Sequence, residues 1–364
     1  MSAVLEAAPP LRFTVPPDLE AREPAEVRWF DRDDVRLMVA YRGDGRLVHS
    51  WFGRLPAFLS AGDLLVINTS RTLPASLPAS TPEGLRLQVH VSTWLPDGRW
   101  VVELRRPRDE ASLPLLEARV SQRIRLPEGC TLRLAGPFDG VVSAGRAPAR
   151  GRSQTRLWLG EVDLRGDLFA YLERNGQPIR YAHARRAWPL AMYQTVYARE
   201  PGSAEMPSAG RAFTEKLITR LVAEGILVAP LVLHTGVSSQ EGGEPPYPEF
   251  YRVPATTARL VNAVRAWGGR VIAVGTTVVR ALESAADERG TVTGTEGWTD
   301  LVVTPEGGVR VVDGALTGWH GERTSHLRLL EAVGGRPLLE ASYRAALRER
   351  YLWHEFGDLH LILP

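Results

Sequence analysis

Val271-Ile272-Ala273-Val274-Gly275-Thr276-Thr277-Val278-Val279-Arg280 changes its periodicity halfway along. Val271 to Val274 is an unbroken apolar, mostly β-branched run and reads as a buried strand within Arg270 to Gly275. Gly275-Thr276-Thr277 ends it, and a helix begins at once, with Thr276 as its N-cap and Arg280 one turn in. A strand feeding straight into a helix is the building unit of an α/β sheet. Free backbone N–H groups at such a helix start hold carboxylates or phosphates, and ligands of open α/β sheets sit at this end of the strands. Glu283 and Ser284 follow on the same helix. The plainer reading, a capped helix with a surface ion pair at Arg280, stays open at this stage.

The α/β pattern extends outward from there. Thr214 to Glu224 has helical spacing, with Thr214 as N-cap and Gly225 as stop. Leu227 to Leu233 reads as a buried strand in which Pro230 prefers an edge. Pro254 to Trp267 reads as a helix ended by Gly268-Gly269. Strands are expected at Leu301 to Thr304 and Val309 to Val312. Helices follow near Ser325 to Ala332 and Pro337 to Arg350, then a last strand at Leu359 to Leu363. Upstream, a proline-rich lead-in precedes a strand at Arg36 to Ala40, a turn at Gly43 to Gly45 and a buried strand within Asp63 to Asn68.

Between about Pro74 and Leu168 the texture differs. Short alternating runs recur at Leu85 to Val91, Trp100 to Leu104, Gln122 to Leu126, Thr131 to Leu134 and Thr155 to Leu159, separated by turns such as Pro96-Asp97-Gly98. That is the pattern of a small all-β module, a barrel or folded sheet. Arg146 to Arg156 reads as a basic hairpin tip. The expected class is an α/β main domain, residues 1–73 and 170–364, with an inserted barrel-like domain at 74–169.

Composition narrows the function. The chain has 364 residues, 44% of them hydrophobic and 24% charged, which fits a globular protein. A single cysteine, Cys130, excludes an internal disulfide framework and a cysteine-rich metal cluster. There is no apolar run of about 18 residues to span a membrane, and the N-terminus does not read as a secretory signal. Cytoplasmic location is expected. Lys216 is the sole lysine, so arginine carries nearly all the positive charge. Arginine forks suit phosphate and carboxylate, although a net charge of +2 neither demands nor excludes nucleic acid. No HExxH, GxSxG, P-loop or GxGxxG motif is present, and no metal site is expected.

Two further groups of residues carry chemistry. Tyr193-Gln194-Thr195-Val196-Tyr197-Ala198-Arg199-Glu200-Pro201-Gly202 leads to Pro207-Ser208-Ala209-Gly210. Its tyrosines could sandwich a purine that Gln194 reads; a strand with a long structural turn is the alternative. His234, Asp300, Asp313 and His320 stand at expected strand ends, where catalytic groups gather.

Taken in order, these segments resemble the S-adenosylmethionine:tRNA ribosyltransferase-isomerase family of queuosine biosynthesis. The likeness runs from about Asp18 to Pro364 and rests on Gly62 to Asn68, Tyr193 to Gly202, Leu233-His234, Gly268 to Thr277, Gly297-Trp298-Thr299-Asp300-Leu301, His320 and Phe356-Gly357-Asp358. The resemblance implies transfer and isomerisation of the ribosyl part of S-adenosylmethionine onto a 7-aminomethyl-7-deazaguanine base in tRNA, with release of adenine and methionine. It implies S-adenosylmethionine as co-substrate, no other cofactor, tRNA as partner and no membrane; no oligomeric state follows from it.

Such a reaction needs a base for the proton beside the sulfonium, an acid for departing adenine, a stacking slot and an anchor for the methionine carboxylate. Arg280 with Gly275, Thr276 and Thr277 is assigned the carboxylate. Tyr193, Gln194 and Tyr197 are assigned adenine, and Thr195, Ser208, Gly210 and Glu283 join them as substrate-binding residues. His234 or His320 transfers protons, and Asp300 and Asp313 orient groups or bind ribose. Arg71, Arg105 and Arg106, with Arg108, Arg180, Arg185 and Arg186, could track a phosphate backbone.

Several loops depart from the family pattern. Asn68-Thr69-Ser70-Arg71 lacks an aspartate, Ser208 to Thr214 lacks a histidine, and Pro246-Tyr247-Pro248-Glu249 lacks another. Gly236 to Gln240 replaces a glycine-rich loop, and Gly318 to Ser325 is rewritten around His320. The alternatives are a paralogue that uses S-adenosylmethionine on a small molecule or free nucleoside, and a binding protein without turnover.

Overall fold

Leu64-Leu65-Val66-Ile67-Asn68 shows no polar alternation because it runs through the middle of a sheet covered on both faces. The computed structural model describes residues 11–108, 111–138, 140, 156–180, 184, 186–237, 247–322 and 325–364. In chain order the strands are β1 (Arg36–Tyr41), β2 (Leu47–Trp51), β3 (Leu64–Asn68), β4 (Ser70–Thr72), β5 (Ser76–Ser80), β6 (Arg86–Trp94), β7 (Trp100–Arg108), β8 (Ala111–Pro114) and β9 (Arg123–Arg125). They continue with β10 (Thr131–Pro137), β11 (Leu157–Val162), β12 (Glu200–Ser203), β13 (Leu227–Leu233), β14 (Glu249–Val253), β15 (Val271–Val274), β16 (Thr295–Thr299), β17 (Gly314–Gly318) and β18 (Leu359–Leu363). The α-helices are α1 (Leu168–Asn175), α2 (Glu215–Ala223), α3 (Ala255–Ala266), α4 (Thr276–Ser284), α5 (Ser325–Gly334) and α6 (Arg336–Arg348).

The main sheet has the order β16-β14-β13-β3-β15-β17-β18-β1-β2. β13, β3, β15 and β17 are mutually parallel, so their carboxyl ends share one edge. Alternate residues of β3 and β15 feed two cores. Leu64, Val66, Val271 and Ala273 pack with Val261 of α3, Val279 of α4, Leu330 of α5 and Leu339 of α6. Leu65, Ile67, Ile272 and Val274 pack on the other face with Phe52, Phe213, Leu217 and Leu221. Each such buried Val, Leu, Ile or Phe side chain stabilises the fold by about 1.5–3 kcal/mol relative to exposure.

The second sheet is antiparallel, in the order β11-β10-β9-β5-β6-β7-β8. It closes on itself where Leu157 to Gly160 of β11 pair with Glu103 to Trp100 of β7. Six strands therefore form a barrel, and β8 flanks it on the far half of β7. Burial alternates strictly along β10, as a filled barrel requires. The molecule is an α/β domain carrying a small all-β barrel. Gly176, after α1, sits at the junction: a Cβ there would lie 1.9 Å from the Pro74 carbonyl oxygen.

Thr214 caps α2 by accepting from the Leu217 N–H at 3.1 Å, and Gly225 follows at φ +81°, as the sequence predicts. Pro230 lies mid-strand, yet β14 pairs with β13 only from Val232 onward, so its missing N–H faces no ladder there. The Pro230 carbonyl accepts from Thr257 Oγ1 at 2.6 Å.

Two expected strands are corrected. Leu301 to Thr304 and Val309 to Val312 are not strands; the strands are β16 and β17. The Leu301 carbonyl is taken by Arg280, and the N–H groups of Arg310 and Val311 donate to Glu283, so side chains replace the ladder. β17 (Gly-Ala-Leu-Thr-Gly) looks weak by propensity, but its packing demands small residues. A Cβ on Gly314 would meet the Ile362 carbonyl oxygen at 2.5 Å. Within the expected basic tip at 146–156, residues 146–155 lie outside the described residues, and Arg156 is buried beside Glu103. Among the described residues no helix is long and apolar enough to cross a membrane.

Candidate active site between the sheet edge and the barrel

One cavity of about 360 Å³ opens where the carboxyl ends of the parallel strands meet the barrel. Thr235 to Val237 reach it after β13, Gly275 to Thr277 after β15, and Thr317 and His320 from the end of β17. Ser92, Thr93, Val101 and Phe138 form the barrel wall, facing Tyr247 and Glu249. Clefts between structural units and at strand ends are the usual places for small-molecule sites.

The β15–α4 corner is built as its sequence predicts, with one change. Gly275, not Thr276, is the N-cap, at φ +98°. A side chain there would be strained by the positive φ, although its Cβ would meet Ala209 only at an ordinary contact distance of 3.5 Å. The Val278 N–H turns back to the Gly275 carbonyl at 3.1 Å, and the N–H groups of Thr276 and Thr277 precede the first helical bond. Asn68 holds this corner to the sheet: its Nδ2 donates to the Leu233 carbonyl at 2.8 Å and approaches Thr277 Oγ1 at 3.4 Å.

Arg280 lines the cavity, but its fork is already occupied. Nη1 pairs with the Glu249 carboxylate, Nε donates to the Leu301 carbonyl at 3.0 Å, and Nη2 donates to the Thr299 carbonyl at 3.1 Å. Glu249 also accepts from the Gly236 N–H at 3.0 Å. Arg280 is thus a clamp joining α4, β14, the end of β16 and the loop after β13. The carboxylate-anchoring role expected of Arg280 competes with this clamp, which uses three of the five guanidinium N–H donors.

His320 lines the cavity with its Nε2 3.1 Å from Thr317 Oγ1. Burial, with His326 and His354 nearby, holds its imidazole well below the ordinary range. His234 does not line the cavity. Its Nδ1 is 2.8 Å from Ser70 Oγ, which is 2.6 Å from Ser203 Oγ, and its Nε2 faces Glu200 at 3.8 Å. Burial is the main cause that pushes His234 down to about 4.

Several expected site residues hold structure instead. Gln194 acts as a strand partner for Thr72, accepting from its N–H at 3.0 Å and donating to its carbonyl at 2.7 Å. Tyr193 is buried against Phe356. Tyr197 is half-buried against Phe213, and a Cβ on Gly210 would lie 2.1 Å from its hydroxyl. Thr195 is buried beside Gly210. None of these five lines the cavity, so the expected purine sandwich is corrected; Ser208 does line it. Asp313 accepts from the Val271 N–H at 2.8 Å, at the opposite end of β15 from the cavity. Glu283 anchors the 310–311 backbone, and Asp300 is exposed outside the cavity.

Of the expected phosphate-tracking arginines, Arg105 is buried and bound to Glu103 and Ser112. Arg71 and Arg106 are exposed, each paired with a glutamate, Glu173 and Glu117. Arg180 donates to the Ala184 carbonyl and Arg186 covers the Trp188 ring. Arg185, the side chain of Arg108 and residues 238–240 lie outside the described residues. Sequence reasoning missed Phe138, Tyr247, Thr317, His326 and Glu355 as cavity residues. Only Tyr247 lay in a segment already marked by its departure from the family.

Three histidines, His360 buried and His234 and His326 half-buried, make stability depend on pH. His234 and His326 are pushed down to about 4 and His360 to about 3, in each case chiefly by burial. In the unfolded chain they titrate near 6.5. Between those values the unfolded state binds protons that the native state refuses, so stability falls as pH drops below about 6.5. The expected slope is about 1.4 kcal/mol per pH unit for each histidine, about 4 kcal/mol per unit for the three. Urea midpoints at pH 7, 6 and 5 measure this; equal midpoints would contradict neutral burial.

The parallel-strand edge, the open helix start and the barrel wall around one cavity define a small-molecule-binding α/β protein with an added barrel. The family described as queuosine biosynthesis protein matches residues 10–362, and the chain belongs to that family. The S-adenosylmethionine:tRNA ribosyltransferase-isomerase of Symbiobacterium thermophilum is 37% identical over 362 residues, 96% of this chain and 98% of that protein. The protein of the same name from Thermus thermophilus is 36% identical over 363 residues, with the same coverage. The crystal structure of S-adenosylmethionine tRNA ribosyltransferase from Thermotoga maritima matches with a TM-score of 0.51 at 27% identity, covering 96% of this chain and 99% of that one.

Proposed function

We propose that this chain is an S-adenosylmethionine:tRNA ribosyltransferase-isomerase of queuosine biosynthesis. It transfers and isomerises the ribosyl moiety of S-adenosylmethionine onto a 7-aminomethyl-7-deazaguanine base in tRNA, releasing adenine and methionine. The observation that carries this reading is the end-to-end family match of a chain whose cavity pairs an open helix start with a half-buried imidazole. Full-length likeness favours tRNA over a small-molecule acceptor.

In this reading the N–H groups of Thr276 and Thr277 hold the methionine carboxylate at the positive end of α4. Arg280 and Glu249 keep that corner rigid. Phe138 and Tyr247, with ring centroids 5.8 Å apart, offer the apolar faces for adenine. His320 takes the proton from the carbon beside the sulfonium, whose positive charge stabilises the carbanion formed. A depressed imidazole makes a strong acid once protonated, so the same group can return the proton to departing adenine. S-adenosylmethionine serves as co-substrate without another cofactor. Residues 1–73 and 170–364 form the main domain and 74–169 the barrel, and exposed Arg71 and Arg106 face the tRNA backbone in the cytoplasm.

Incubation with S-adenosylmethionine and tRNA carrying the aminomethyl base, followed by mass spectrometry, tests this. Adenine, methionine and the enlarged nucleoside should appear in equal amounts, and tRNA affinity should fall steeply with salt. Turnover with the free base but not with tRNA would instead establish the small-molecule paralogue.

A further inference from the structure

A second imidazole enters the cavity beside His320. His326, on the first turn of α5, stacks on it with ring centroids 4.3 Å apart and planes 7° from parallel. Thr317 Oγ1 donates to the Gly318 carbonyl at 3.2 Å and stands 3.1 Å from His320 Nε2. With the hydroxyl proton so directed, its oxygen accepts, Nε2 carries the ring proton, and Nδ1 of His320 keeps the lone pair.

We infer that His326 is a positioning residue that acts through His320, fixing the plane of that ring and opposing a second positive charge on the stacked pair. His320 then meets its substrate as a neutral base in one tautomer. The inference rests on the reading of this cavity as the S-adenosylmethionine site.

The groups around the pair point the same way. Arg280 on α4 and His354 on the segment before β18 add positive potential, and Glu355 opposes it at His326. Tyr343 on α6 approaches the His320 backbone and is held protonated by burial. Both imidazoles lie below their ordinary range, His326 at about 4. His326 takes its proton first and its charge then opposes protonation of the stacked His320, so removing that charge must move His320. A residue that only filled space at 326 would not do this.

The test compares the wild type with His326→Phe, which keeps a ring and removes the charge, and His326→Gln, which removes the ring. Imidazole nitrogen NMR of the free protein reads His320 directly. In both variants His320 should begin to protonate about one pH unit higher. The acid limb of the pH profile of kcat should move the same way, while KM for S-adenosylmethionine stays within about twofold, because a positioning residue acts on the chemical step. In the reciprocal variant His320→Gln, His326, which takes its proton first and beside a neutral ring, should titrate as in the wild type. Unmoved titration of His320 in both folded His326 variants would overturn the proposal. A shifted NMR titration in a protein that never releases adenine would uphold the coupling and sink the ribosyl-transfer reading instead.

Discussion

Arg280→Ala should abolish measurable S-adenosylmethionine binding and lower stability by about 3–5 kcal/mol, the usual cost of stranding one partner of a buried ion pair. Arg280 and Glu249 have side chains only 10% and 15% exposed, and each of the three guanidinium nitrogens makes a bond. Removing it leaves a carboxylate next to the cavity and two carbonyls without their donor. The bare negative charge repels the methionine carboxylate, and Glu249, which still accepts from the Gly236 N–H, is no longer joined to α4. Lysine should rescue little, since a single ammonium cannot reproduce three bonds in three directions. Calorimetric binding together with thermal unfolding measures both effects. Wild-type affinity in the alanine variant would show that the clamp does not shape the site.

His320→Gln should lower turnover by about 10²–10⁴-fold, the range for loss of a general acid–base group. Glutamine can keep the contact to Thr317, so S-adenosylmethionine affinity and unfolding temperature should change little. The measurement is single-turnover adenine release at saturating substrate. Wild-type rates in this variant, with loss of turnover in His234→Gln, would move proton transfer to the chain of Ser203, Ser70, His234 and Glu200. That chain is hydrogen-bonded through the two serines and lies against Gly202, where a Cβ would meet the His234 ring at 2.5 Å. Such packing marks a residue fitted into the structure around the cavity rather than facing it.

The two histidines show why the site was only half readable. Both follow expected strands, and nothing in either neighbourhood says which ring turns to the cavity. Tyr193, Gln194 and Tyr197 present the same difficulty. Aromatic and amide groups in a turn-rich loop suit a purine, yet they serve equally well as internal ties when the loop is folded under Phe356 and Phe213. Asp313 and Glu283 look like polar groups available for chemistry, whereas each satisfies backbone N–H groups where no ladder exists. A carboxylate that stands in for a strand partner leaves no local signature.

The sequence by itself determined the family and most local elements, the strands expected at Leu301 to Thr304 and Val309 to Val312 excepted. Strand and helix periods, the Thr214 cap and the Gly275 turn depend on neighbours a few residues apart, where steric and hydrogen-bonding preferences act directly. The alternation in the region of residues 74–169 likewise announced a small β module. Only the tertiary structure decided that β11 closes on β7, that Arg280 meets Glu249 from 31 residues away, and that His326 lies over His320. Those contacts follow from the order of strands in the sheet and the seating of the barrel on its edge. Such long-range packing is set by burial of whole faces, which many orders of the same segments satisfy locally and few satisfy together.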